Sequence, residues 1–160
     1  MRKSCGEHSE SAGSRAAASQ PTGFLLHPTL ASDTLVIGDL LACRLLLMNN
    51  SSFPWVILVP RKDGLRELFD LSAEDYTAVM AEVRLVSEAF ASETRADKMN
   101  IAALGNMVPQ LHIHIIARYK SDAAWPNPVW NSGIAATPYH ASELSEKLAQ
   151  LRTIFNITKM

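Results

Sequence analysis

Gln110-Leu111-His112-Ile113-His114-Ile115-Ile116 alternates polar and apolar side chains until its last position, the period of a β-strand with one face in a core. In an extended chain Gln110, His112, His114 and Ile116 point to one side, and Leu111, Ile113 and Ile115 to the other. Alternate residues lie about 6.6 Å apart at the usual rise per residue. Two imidazoles and an amide therefore form a row on one surface. The reading without chemistry is a solvated sheet face that happens to be polar. Three chemical uses also fit: metal binding by His112 and His114, acid–base catalysis near neutral pH, and attack by a neutral imidazole on phosphorus. A metal site needs a third ligand, for which His27, His140, Asp97 and Asp122 are the candidates, none at a diagnostic spacing. Phosphoryl chemistry needs donors for the non-bridging oxygens. The bend Gly105-Asn106-Met107, just before the strand, offers backbone amides and a carboxamide; the glycine equally serves a tight turn.

Working outward, a strand is expected at 98–104, leading through that bend into a strand at 110–118. Upstream, Ser72 is placed to cap a long helix with Asp75 at the third position, and Leu71 to pack on Tyr76. The helix stripe expected in the core is Tyr76, Val79, Met80, Val83 and Phe90. Before it, Cys43 to Met48 and Trp55 to Val59 read as a buried hairpin joined by the polar stretch 49–54, with Pro60 as its stop. Shorter β-like runs, 24–27 and 35–38, begin the sheet. A final helix is expected from Thr137-Pro138, with Leu144, Leu148, Leu151 and Phe155 facing inward. Strands, then a helix, then strands again indicate an α+β fold: an antiparallel sheet with helices on one side.

The whole chain of 160 residues, 48% hydrophobic, suits one domain, taken as residues 23–160 and including an arm and helix at 121–155. Residues 1–22, rich in Ser, Ala and Gly, are expected to be a disordered leader or no part of the native protein. Fifteen basic and sixteen acidic residues give a formal charge of −1, which disfavours a nucleic-acid duplex as partner. No apolar run approaches the roughly 18 residues of a membrane span. Cys5 and Cys43 alone cannot build a disulfide framework or a thiolate zinc site, and a cytoplasmic location is expected. Trp125 and Trp130, in a stretch without helix or strand period, either cover the edge of the site or anchor the arm to the core or to a second subunit. Arg118 either meets phosphate or is a solvated strand end.

With these elements in place, the sequence resembles the histidine triad family of nucleotide hydrolases and transferases, whose signature is His-φ-His-φ-His-φ-φ with φ apolar. Residues 110–116 match it with Gln110 at the first histidine, as in a bacterial branch of the family. The order of hairpin, long helix and Gly105-Asn106 bend extends the likeness over about 24–120. The resemblance implies that His112 attacks the α-phosphorus of a nucleoside phosphoramidate, nucleotidyl conjugate or dinucleoside polyphosphate, forming a nucleotidyl-histidine, and that His114 contacts the phosphate. It places Asn49 where an acidic residue usually binds ribose hydroxyls, and it implies a homodimer. No cofactor is required by that scheme. Gln110 can orient a phosphate but cannot shuttle a proton. The competing readings are a nucleotide-binding module without turnover, motivated by Gln110 and Asn49, and a metal-dependent hydrolase.

Overall fold

A computed structural model describes residues 24–157; the expected leader and Cys5 lie outside them. The order is α1 (Pro28–Asp33), β1 (Thr34–Asp39), β2 (Cys43–Met48), β3 (Trp55–Pro60), a 3-10 turn (Leu68–Asp70), α2 (Ala73–Thr94), β4 (Lys98–Ala102), β5 (Ile113–Arg118) and α3 (Ala141–Ile154). The strands form one antiparallel sheet in the order β1-β2-β3-β5-β4, so the fold is α+β.

Alternation along the strands splits the sheet into two apolar faces. Leu45, Leu47, Val56, Leu58, Ile113 and Ile115 face one way, toward Val79, Val83, Val86 and Phe90 of α2 and toward Leu151 and Phe155. Burial of each such side chain contributes about 1.5–3 kcal/mol. Ser72 caps α2 as its sequence indicates, its Oγ accepting from Asp75 N at 3.1 Å. The buried stripe differs from the expected one: Tyr76 and Met80 are exposed, and Val86 takes a core place. With α2 seated on a broad sheet, its contact line follows 79, 83, 86 and 90, a narrower stripe than hydrophobicity alone drew.

The opposite face is buried as well. Leu46, Trp55, Ile57, Val59 and Ile116 meet Leu30 of α1 and Phe53, Val108, Ala124 and Val129 from irregular chain. Other departures are local. Residues 24–27 form no strand, and Pro28–Asp33 is helical, with the His27 ring accepting from Thr29 N at its start. β4 ends at Ala102 and β5 begins only at Ile113. Helix α3 starts at Ala141, not at Thr137-Pro138, because the backbone there is held elsewhere: Thr137 N donates to Asn50 Oδ1 and Tyr139 N to Asn49 Oδ1. Leu144 and Leu148 pack against the core and Leu151 is buried, as their spacing indicates. Among the described residues no helix is long and apolar enough to cross a membrane.

Candidate active site

Pro109 has no N–H to give a ladder, and Leu111 N donates not to a neighbouring strand but to Leu65 O at 2.9 Å. Gln110 and His112 therefore stand just ahead of β5, while His114 lies within it, opposite Ile57 on β3 and Ala102 on β4. Both imidazoles keep the parity of the strand and are about 6% exposed. Their rings meet edge to face, centroids 4.8 Å apart.

Each ring has its Nδ1 held by a different kind of partner. His112 Nδ1 lies 2.7 Å from Gln110 O, a carbonyl that can only accept. Nδ1 therefore carries a proton, and in the neutral ring the lone pair is on Nε2. His114 Nδ1 accepts from Trp55 Nε1–H at 3.0 Å, which leaves its proton on Nε2. Burial, reinforced by His112, depresses the His114 pKa to about 3. His114 is neutral at any physiological pH; its protonated form would need both desolvation of a charge and loss of the indole bond.

The two rings open onto a cavity of about 470 Å³ whose floor and rim include Gly105, Asn106, Met107, Pro128, Trp130 and Asn131. Gly105 has φ of +67°. A Cβ there would meet only Val108 O at 3.8 Å, so conformation and not crowding calls for glycine. The carboxamides of Asn106 and Asn131 hydrogen-bond no other described residue and can turn to a ligand. No Asp, Glu, Lys, Arg or Cys is among the described residues lining this cavity. A larger cavity, about 600 Å³, lies beside the start of α2. Its cations are committed, Arg44 and Arg61 to Asp39 and Lys62 to Asp75, and it holds neither imidazole.

The structure thus brings His112, His114, Gly105, Asn106 and Met107 to one cavity, while Gln110, whose carbonyl holds His112, and Asn49 do not line it. Both ends of the Gln110 amide are engaged by backbone: Oε1 accepts from His27 N at 2.8 Å, and Nε2 donates to Leu25 O at 3.0 Å. It ties the segment before α1 to the motif. Asn49 Oδ1 is taken by Tyr139 N. Neither reading of Arg118 holds: it is 1% exposed and grips Asp122 through Nε and Nη2 at 2.7 and 2.8 Å, together with Asn100 Oδ1 and Asn127 O. That grip draws the Asp122 pKa down to about 2. The two tryptophans divide their roles, Trp130 standing edge-on to His114 at 5.3 Å and Trp125 lying over the Arg118 guanidinium. None of His27, His140, Asp97 and Asp122 lines the cavity.

Sequence reasoning missed Trp55 and Asn131. Trp55 is separated from His114 by 59 positions, and only the β3–β5 register makes them diagonal neighbours. Asn131 carries a local signal in retrospect, an Asn-Ser-Gly run, the kind of residue that tolerates its φ of +62°.

The HIT domain family matches residues 29–121, which spans hairpin, long helix and histidine strand. The chain belongs to the HIT domain family. Crystal structures of histidine triad proteins agree. One from Marinobacter aquaeolei VT8 shares 44% identity at TM-score 0.80, covering 83% of this chain and 96% of that one. One from Bradyrhizobium japonicum shares 42% at 0.79, over 82% and 98%; one from Sinorhizobium meliloti 1021 shares 39% at 0.79, over 82% and 97%. No curated protein matches the chain. HIT proteins are generally nucleotide hydrolases or transferases.

Proposed function

We propose that this HIT protein is a nucleotide hydrolase in which His112 Nε2 attacks the α-phosphorus of a nucleotidyl substrate. The observation that carries this reading is the 2.7 Å bond from His112 Nδ1–H to the Gln110 carbonyl, which assigns Nε2 the lone pair in the neutral ring of a residue that lines the cavity. Attack forms the Nε2–P bond and breaks the bond from phosphorus to the leaving group. The Nδ1–H bond to the carbonyl disperses the charge that develops on the ring. Water then attacks the same phosphorus, and His112 departs as a neutral imidazole. The neutral His114 Nε2–H, the Asn106 carboxamide and the amides of the Gly105–Met107 bend are donors suited to phosphoryl oxygens.

Because the described lining offers no carboxylic acid, lysine or thiol, the leaving group takes its proton from water. Departing phosphate anions are then favoured over amines, and a dinucleoside polyphosphate is expected to turn over faster than a nucleoside phosphoramidate. The test is to incubate wild type and His112→Ala with diadenosine polyphosphate and adenosine phosphoramidate, following products and protein adducts by mass spectrometry. We expect a nucleotidyl adduct on wild type alone and a fall of about 10³-fold or more in the variant. Activity retained by the alanine variant sinks the nucleophile; binding by wild type without turnover would leave a nucleotide-binding module. The homodimer implied by the resemblance is checked by light scattering on the same material.

A further inference from the structure

We infer that Trp55 is a positioning residue: its indole N–H locks His114 as the Nε2–H tautomer, making His114 a fixed neutral donor to the phosphoryl group and not a proton shuttle. The catalytic half of this inference rests on the nucleotidyl-transfer reading above; the tautomer lock does not.

The geometry begins in the register of the sheet. Trp55 pairs with Ile116 and Ile57 with His114, so Trp55 and His114 are diagonal neighbours on one face, within reach for an aromatic side chain. Trp55 is 7% exposed, and its N–H points at His114 Nδ1 from 3.0 Å. An indole nitrogen donates and never accepts. Were His114 to gain a second proton, or move its proton to Nδ1, two N–H groups would face each other in a buried site. Protonation therefore requires the contact to break. Around the ring, His112 stands at 4.8 Å, Trp55 at 5.3 Å and Trp130 at 5.3 Å between centroids. Ala102 faces it from β4, and no described carboxylate or cation enters from the bend or the arm. Among the described residues His112 is the only titratable neighbour, and none of them stabilises a cationic His114. The low pKa of His114 agrees with the geometry.

His112 is arranged the other way. Its Nδ1–H meets an acceptor, so Nε2 can take phosphorus while the first bond is kept. A carbonyl selects one ring as nucleophile, and an indole selects the other as donor.

The test is nitrogen NMR of both histidines in wild type and in Trp55→Phe, with kinetics on diadenosine polyphosphate. In wild type we expect His114 to keep its proton on Nε2 without titrating from about pH 8 down to about pH 5. In Trp55→Phe, where the ring packs but donates nothing, we expect the Nδ1–H form or a titrating imidazole. Its kcat should fall about 10- to 100-fold while KM moves less than about threefold. A wild-type His114 that carries its proton on Nδ1 or titrates in that range overturns the inference, as does a Trp55→Phe protein with wild-type tautomer and kcat. Should Trp55→Phe fail to fold, the wild-type spectrum decides alone. Wild type with the expected spectrum but no turnover of either nucleotide would fail the functional reading and uphold the lock, so the two failures are distinguishable.

Discussion

The two faces of the sheet both bury apolar side chains, yet they are closed by different means. The face against α2 is sealed by regular structure, with Val79, Val83, Val86 and Phe90 along one helix. The face carrying the histidines is sealed by the short α1 and by chain without a repeating conformation. That chain is held by polar anchors: Arg118 to Asp122 and Asn127 at one end, Asn50 and Asn49 to Thr137 and Tyr139 at the other. A helix satisfies its own backbone and needs only apolar contact with the sheet. Irregular chain must have its amides and carbonyls satisfied one by one. The first arrangement is robust and chemically silent; the second is costly in polar partners, but it sets Trp130 and Asn131 around a cavity.

Two large truncations separate these roles. Phe90→Ala on the helical side and Arg118→Met on the arm side should each destabilise the fold by about 3–5 kcal/mol in urea titrations. The first opens a hole beside Phe155; the second strands the Asp122 carboxylate. Only Arg118→Met should also lower kcat/KM at temperatures where both variants are folded, because only it loosens the wall of the cavity. Equal kinetic effects from the two would erase the distinction between the faces. At the far anchor, Asn50→Ala strips the acceptor from Ser52 N and Thr137 N. A loss of about 1–3 kcal/mol is expected, read as earlier proteolytic cleavage near Thr137 and a lower urea midpoint.

Acid should act through the arm face first. His114 has a pKa near 3 when folded against an ordinary 6.5, so the unfolded chain binds a proton that the folded one refuses. Its contribution to stability is therefore whole above pH 6.5 and is lost as pH falls toward 3, at about 1–1.4 kcal/mol per unit. The titratable group buried on the helical side is the Cys43 thiol, which burial pushes far up; it is neutral in both states across this range. Urea midpoints at pH 7 and pH 5.5 should differ more for wild type than for His114→Gln, and parallel shifts would assign the acid sensitivity elsewhere.

What could be read from the sequence follows the same division. The hairpin, the Ser72 cap and the parity of Leu111, Ile113 and Ile115 were legible because each depends on neighbours within a few positions. Exposure of Tyr76 and Met80 was not, since a hydrophobic stripe gives the angle of a helix only to within a residue's width. His112 and His114 stood out through their spacing, whereas the contacts of the Gln110 and Asn49 side chains were hidden for one reason. A carboxamide offers the same groups to a ligand and to a distant backbone, and here the backbone engages both ends of Gln110 and the oxygen of Asn49, through residues 83 to 90 positions away. Arg118 was opaque in the same sense. Its partners Asn100 and Asn127 become neighbours only when β4 has paired and the arm has folded back.

The uncharged lining of the histidine cavity also bears on how a nucleotide would be chosen. A pocket with fixed cations draws in any phosphate-bearing molecule and weakens as salt rises. The described lining of this one holds no acidic residue, lysine or arginine, so inorganic phosphate and other small polyanions would gain little there. Under the proposed function, recognition would fall to molecules that also fill the cavity lined by Met107 and Trp130. Selectivity would then come from the nucleoside end of the substrate, and the ionic strength of the surroundings would matter little to it.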